Sequence, residues 1–323
     1  MDEPIRLGIV GLGLMGRHHA RVSTTLENVE LVGGADPAGD VHRALTGRPV
    51  FKTLDELLGL GLDAAIVAVP SEEHEAVAVA LASAGVHSLI EKPLANTLNA
   101  AVDIRDAFAG TDLVAAVGQV ERYNPAMVAL KRRLNRGELG RIISIRTRRA
   151  GPNPTRVRDV GVVADLATHD IDLALWLGGR LASLSAEVAH RLESPYEDLV
   201  EVIGRFEDGA VVSLSVNWLT PTKERSVSVL GERGAFVADL LSADLTFFSN
   251  AETPVEWEDM ARLKGVSEGD MVRYALPKRE PLRVQMERFC DAVMGVDDSQ
   301  IVSLDDAVEV LRVVERILKE AAQ

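Results

Sequence analysis

Gly11-Leu12-Gly13-Leu14-Met15-Gly16 has the spacing G-x-G-x-x-G and stands between an apolar run, Ile5–Val10, and a segment from Leu14 to Leu26 with helical spacing. In that context each glycine has a task. Gly11 permits a tight turn and Gly13 lets the backbone approach a pyrophosphate. Gly16 lets the helix pack closely, so that its first N–H groups, at Leu14 and Met15 beside the glycines, face an anion. A second apolar run, Val29–Ala35, ends at Asp36, twenty residues beyond Gly16. A carboxylate there accepts hydrogen bonds from the adenine ribose hydroxyls and repels a 2′-phosphate. Pro37, Ala38 and Gly39 follow, with no arginine to offset that repulsion. NAD is therefore the expected cofactor, in preference to NADP.

The elements that must position these residues alternate in type. After the first βαβ unit come a short helix near Leu54–Leu58, strand Ala64–Val69, helix Glu72–Ala84, strand Val86–Ile90, helix Thr97–Phe108 and strand Leu113–Val117. Such alternation predicts a parallel sheet covered by helices on both faces, a Rossmann-type α/β domain over residues 1–120. From Glu121 the pattern changes. Helix Pro125–Leu134, strand Ile142–Arg148, a Gly/Pro-rich loop at Gly151–Pro154 and helix Val163–Leu177 lead into runs of strand, Leu181–His190, Leu199–Phe206, Ala210–Trp218, Arg225–Leu230 and Ala235–Asp239. Turns such as Glu207-Asp208-Gly209 predict an open, mostly antiparallel sheet, so residues 121–323 are expected to form an α+β substrate-binding and oligomerisation domain. Two helices close the chain: Pro281–Met294, and Leu304–Ala321 behind a Ser303-x-x-Asp306 cap, which can pack back on the first domain. Residues 250–278 have weak periodicity.

Bulk properties narrow the function. A chain of 323 residues suits two domains. The net charge of −14 argues against nucleic acid as a partner. With Cys290 alone, no intrachain disulfide or multi-cysteine metal site can form, as in a reducing cytoplasm, where the protein is expected. No apolar stretch approaches the ~20 residues of a membrane span, and the opening segment predicts a first strand and not a secretory leader.

Three further strings carry a resemblance: Val69-Pro70-Ser71-Glu72-Glu73-His74, Glu91-Lys92-Pro93-Leu94 and Asp165-x-x-x-His169. Together they resemble the glucose-fructose oxidoreductase, inositol dehydrogenase and MocA family over nearly the whole chain. The resemblance implies that Glu91 holds the nicotinamide ribose, that Pro70, His74 and Gln119 line the cofactor, and that Lys92, Asp165 and His169 surround the reacting sugar carbon. His18 and His19 resemble the family's histidine in the first helix, a packing or cofactor-side residue. This casting fits the chemistry: oxidising a secondary alcohol needs a group to take the hydroxyl proton and a cation to stabilise the developing alkoxide. Asp165 and His169, four apart, share a helix face. Histidine as a residue type titrates near neutrality, which makes His169 the better base candidate, with Lys92 binding the hydroxyl. The reverse assignment stays open, because a lysine beside a cationic nicotinamide has its pKa lowered. A metal among Asp165, His169, Asp170 and Asp172 is not expected, since those carboxylates spread around the helix.

The substrate is read from a basic stretch, Lys131, Arg132, Arg133, Arg136, Arg141, Arg146, Arg148, Arg149, Arg156 and Arg158, opposed by Glu138 alone. It suggests an anionic substrate. The segments 118–125, 149–156 and 159–163 look like the UDP-N-acetylglucosamine 3-dehydrogenase branch, which implies substrate contacts from Tyr123, Arg149 and Arg156. Planar guanidinium forks suit a diphosphate. Gln119 stands where that branch more often has histidine, and Asn153 and Thr155 interrupt a more aromatic loop, which leaves the sugar open to inositol, a free sugar or a natural-product glycoside. A non-catalytic NAD(H) sensor is the alternative outside enzymology. The open sheet predicts a homodimer or homotetramer.

Overall fold

The computed structural model describes residues 3–153, 160–251, 268–297 and 299–321, which fall into two compact units: 1–120 with 280–313, and 121–279 with 314–323. In the first unit, β1 (Ile5–Val10), β2 (Val29–Ala35), β3 (Val50–Phe51), β4 (Ala64–Val67), β5 (His87–Ile90) and β6 (Ala115–Val117) form one parallel sheet in the order β3-β2-β1-β4-β5-β6. The strands are short apolar runs because helices cover both faces; Ala64, Ala65, Ile66 and Val67 are all fully buried. Four helices connect them: α1 (Leu14–Ser23), α2 (Leu54–Leu58), α3 (His74–Ser83) and α4 (Leu98–Phe108). The order reverses between β1 and β4, and ligands of such sheets bind at the carboxyl ends of the strands beside that reversal.

The helix α7 (Pro281–Val293), assigned above to the second domain, belongs to the first unit's core. Leu282, Met286, Phe289 and Cys290 recur at helical spacing and pack with Ile5, Leu7, Ile9, Ile66 and Leu89. Burial pushes the Cys290 thiol up to about 12, so it stays protonated and serves as a small apolar residue.

The second unit carries an eight-stranded sheet. Its strands are β7 (Ile142–Pro152), β8 (Leu181–Ala189), β9 (Leu199–Phe206), β10 (Val211–Asn217), β11 (Leu219–Gly231), β12 (Gly234–Asp239), β13 (Asp244–Asn250) and β14 (Glu268–Arg273), in the order β14-β13-β12-β11-β7-β10-β9-β8. All neighbours are antiparallel except β7 and β10, which run parallel. The last two strands were not legible in the sequence; 252–267, within the weakly periodic stretch, lie outside the described residues. The helices α5 (Pro125–Asn135) and α6 (Thr168–Gly178) pack on one face of the sheet. Alternation along β7 follows from this: Ile145, Thr147 and Arg149 are buried, whereas Arg146 and Arg148 point outward. The last helix, α8 (Leu304–Ala321), opens with the Ser303 hydroxyl accepting the Asp306 N–H at 3.1 Å.

Candidate functional site

In the first unit, Gly11, Asp36, Pro70, Glu91 and Gln119 all lie just beyond the carboxyl ends of β1, β2, β4, β5 and β6. The three glycines differ in what surrounds them. Gly11 has φ +92°, and a Cβ there would lie 2.5 Å from the backbone of Ala68, so the turn after β1 is packed on the turn after β4. A Cβ at Gly16 would lie 2.0 Å from the Gly11 carbonyl. A Cβ at Gly13 meets no described atom within 4 Å. That is the difference expected if Gly11 and Gly16 shape the loop and Gly13 faces a ligand. The α1 N-terminus has no side-chain cap among the described residues and no acid in its first turn, which leaves its N–H groups suited to an anion. Leu14 and Met15 beside it are 52% and 39% exposed, an apolar surface at the mouth of the loop.

These contrasts predict separate outcomes for two conservative substitutions. Gly13→Ala should remain folded, with stability within about 1 kcal/mol of the parent, yet bind NADH at least about tenfold more weakly by titration calorimetry. Gly16→Ala should lower the melting temperature, because its methyl group meets backbone. Equal NADH affinity in parent and Gly13→Ala would remove the pyrophosphate from this loop.

Asp36 has two backbone partners. Its Oδ2 accepts the Leu12 N–H and its Oδ1 the Ala38 N–H, each at 2.8 Å, so it also braces the glycine loop. Each carboxylate oxygen retains a second lone pair for a ribose hydroxyl. Gln119 is buried, and its Oε1 has no hydrogen-bond partner among the described residues. A buried orphan acceptor of this kind calls for a donor from outside the protein. The cradle at Gly13, the uncapped helix and Gln119 all fit a bound dinucleotide.

His19, expected as a packing or cofactor-side residue, contacts the Glu91 carboxylate. It lies fully buried on α1, and its Nε2 sits 2.6 Å from Glu91 Oε1, while Glu91 Oε2 accepts the Lys92 N–H at 3.2 Å. His19 thus fixes the carboxylate after β5, and Gly118 leaves room for it: a Cβ there would lie 3.1 Å from the Glu91 carboxylate. The neighbouring His18 is exposed. His74 acts at one remove. It is 1% exposed, with Nε2 3.0 Å from the Val69 carbonyl and Nδ1 3.0 Å and 3.2 Å from those of Pro93 and Leu94. It therefore ties the Pro70 turn to the Lys92-Pro93 turn, whose peptide is cis, in place of the direct cofactor contact expected. Burial pushes its pKa down, against the Val69, Leu94 and Pro93 carbonyls and the Glu91 charge, which push it up.

In the second unit, Asp165 and His169 are both half-buried. The helix predicted over Val163–Leu177 is a π-turn, Val163–Ala167, followed by α6. Tyr123 is buried in the 3-10 turn Val120–Tyr123. Arg156, with Arg158, lies outside the described residues.

Arg149 departs from its expected role as a substrate contact. It is 2% exposed, its Nε lies 2.5 Å from Asp170 Oδ2, and its Nη1 lies 2.9 Å from Glu121 Oε1. Burial works against its charge, but Asp170 and Glu121 outweigh that and hold the guanidinium pKa above its usual value. Directly across the β7–β11 pairing stands Arg225, which shares Glu121 Oε1 at 3.4 Å. Other members of the basic stretch are also occupied within the fold. Lys131 donates to the Trp176 carbonyl at 2.6 Å, Arg133 stacks 3.4 Å over the Tyr274 ring, Arg141 pairs with Glu232 and Arg148 with Glu224. Five of the ten basic residues read from the sequence are therefore engaged within the fold. Among the described residues, no group of three or more His, Cys, Asp or Glu is placed to hold a metal ion, and no helix is long and apolar enough to cross a membrane.

Comparison with known proteins agrees with both halves. The profile described as an oxidoreductase family with an NAD-binding Rossmann fold matches residues 5–119, and that of the GFO/IDH/MocA C-terminal domain matches residues 127–237. Inositol 2-dehydrogenase 2 of Saccharopolyspora erythraea is 31% identical over 66% of this chain and 66% of its own length. UDP-N-acetylglucosamine 3-dehydrogenase of Acidithiobacillus ferrooxidans is 28% identical over 90% of this chain and 88% of its own. The solved structure of UDP-N-acetylglucosamine 3-dehydrogenase GnnA from the same species has the same fold, with a TM-score of 0.85 at 24% identity, covering 98% of this chain and 97% of that one. With a dinucleotide cradle in one unit and the matching sheet domain in the other, the chain belongs to the GFO/IDH/MocA family of NAD-dependent oxidoreductases.

Proposed function

We propose that the protein interconverts a secondary ring hydroxyl of a sugar and the corresponding ketone, with C3 of a UDP-linked N-acetylamino sugar as the first substrate to test. The observation that carries the reaction class is the Glu91-Lys92 pair at the end of β5, with its carboxylate fixed by buried His19. NAD+, when bound, accepts hydride. The chain's own residues manage the rest: Glu91 holds the nicotinamide ribose, Lys92 binds the reacting hydroxyl and stabilises its oxygen as charge develops, and His169, beside Asp165, takes the hydroxyl proton. One C–H bond breaks with its electron pair and one O–H bond releases its proton, so the ketone forms in balance. Asp36 favours NAD+ over NADP+ by repelling a 2′-phosphate.

Similarity over 90% of the chain to a UDP-N-acetylglucosamine 3-dehydrogenase supports the nucleotide sugar. The burial of Arg149 supports a second reading, an uncharged cyclic polyol or glycoside, because it removes one guanidinium expected to meet a diphosphate. Incubation with NAD+ and separate panels of UDP-sugars, inositols and glycosides, read as reduced nicotinamide and as keto product by mass spectrometry, decides between them. Turnover confined to the uncharged panel would sink the nucleotide-sugar reading, and silence in all three would sink the dehydrogenase reading.

The outer face of the eight-stranded sheet supports self-association. Met271, Phe248, Ala235 and Leu230 lie in one register row across β14, β13, β12 and β11; Met271 is 67% exposed. A homo-oligomer would cover this row.

A further inference from the structure

The segment bearing Asp165 begins as the π-turn Val163–Ala167 and becomes regular only at Thr168. A π-turn is a wider and rarer ladder than the α-helix, so neighbours must hold it. On its C-terminal side, the Thr168 hydroxyl donates to the Ala164 carbonyl at 3.3 Å, and Asp170 is anchored by Arg149. On its N-terminal side, one residue from far along the chain meets two successive N–H groups. The Glu197 carbonyl accepts the Val162 N–H at 2.9 Å, and its carboxylate Oε1 accepts the Val163 N–H at 3.0 Å. Glu197 is buried, and Gly161 makes the space: a Cβ at 161 would lie 2.0 Å from Glu197 Oε1.

We propose that Glu197 is a positioning residue, whose carboxylate caps the π-turn and thereby sets the alignment of Asp165 with His169. The inference rests on the reading of that pair as the group acting on the substrate. Its physical content is angular. Helical residues are spaced by about 100°, so relaxation of the capped turn into a regular ladder swings Asp165 away from its present relation to His169. The cap needs an acceptor oxygen and not a charge, so glutamine should replace glutamate.

The test compares Glu197→Gln with Glu197→Ala in the full chain. Glu197→Gln should keep kcat within about threefold of the parent. Glu197→Ala should lose kcat about thirtyfold with the KM for NAD+ unchanged, shift the His169 ring resonances in NMR spectra, and speed exchange of the Val163 amide. Gly161→Ala, which displaces the same carboxylate, should repeat these losses and serves if Glu197→Ala folds poorly. Parental kcat in Glu197→Ala overturns the proposal. So does an equal loss in Glu197→Gln, which would make the charge itself the active feature. If the parent protein turns over no sugar or polyol, the functional reading fails separately; unshifted His169 resonances in Glu197→Ala would then still overturn the positioning role.

Discussion

Lys92→Met is expected to lower kcat about a thousandfold, the upper end of the range for loss of one oxyanion-stabilising donor, while NADH binds with nearly parental affinity. The split follows from what each part of the residue does. The Lys92 backbone N–H donates to Glu91, and any residue at 92 except proline retains it. The Glu91–His19 contact and the glycine loop lie on other residues and are untouched by the substitution. Only the ammonium group is lost, and with it the charge that stabilises a developing alkoxide. Stopped-flow turnover and NADH fluorescence titration on the same preparation separate the two effects. A kcat within fivefold of the parent would exclude Lys92 from the reaction and leave the proton transfer to other residues.

The second large effect concerns stability. Arg149→Met should cost about 3–5 kcal/mol, the usual loss when one member of a buried ion pair is removed, because Asp170 would remain in a low-dielectric interior without its guanidinium and Glu121 would keep only the longer contact to Arg225. Asp170 is 1% exposed and cannot be rehydrated without opening α6 from the sheet. Adding Asp170→Asn and Glu121→Gln to Arg149→Met should recover part of the loss, since the stranded charges then disappear together. Denaturant unfolding of the parent and the two variants measures this. If Arg149 instead bound a substrate phosphate, Arg149→Met would keep its stability and raise the KM for an anionic sugar alone. That pattern would reverse the assignment made from its burial.

These two residues mark what can be read along a chain. Lys92 is singled out by short local strings, and so are Gly11, Gly13, Gly16 and Asp36. Strand, turn and helix follow one another within a few residues there, and the demands of a phosphate-binding turn are local. The strand order 3-2-1-4-5-6 follows from alternating β and α segments for the same reason. Arg149 was misread because a basic run along the chain says nothing about side. Strand β7 extends four residues beyond the predicted end at Arg148, and alternation along it puts Arg146 and Arg148 outside and Arg149 inside, against Asp170. The apolar phase of Ile145 was the available signal, and the glycine-rich loop read after Arg148 concealed it.

The sequence alone determined the dinucleotide loop and the parallel sheet behind it, because both are written in spacing over short distances, and through a family resemblance it named the residues proposed for the reaction. Tertiary structure decided their supports. His19 meets Glu91 across 72 residues and Val163 meets Glu197 across 34, and α7 joins a core begun at Ile5. Hydrogen-bond partners and shared apolar faces so far apart leave no periodic mark on the chain. They exist only once both elements are folded, and they depend on packing that no local window contains.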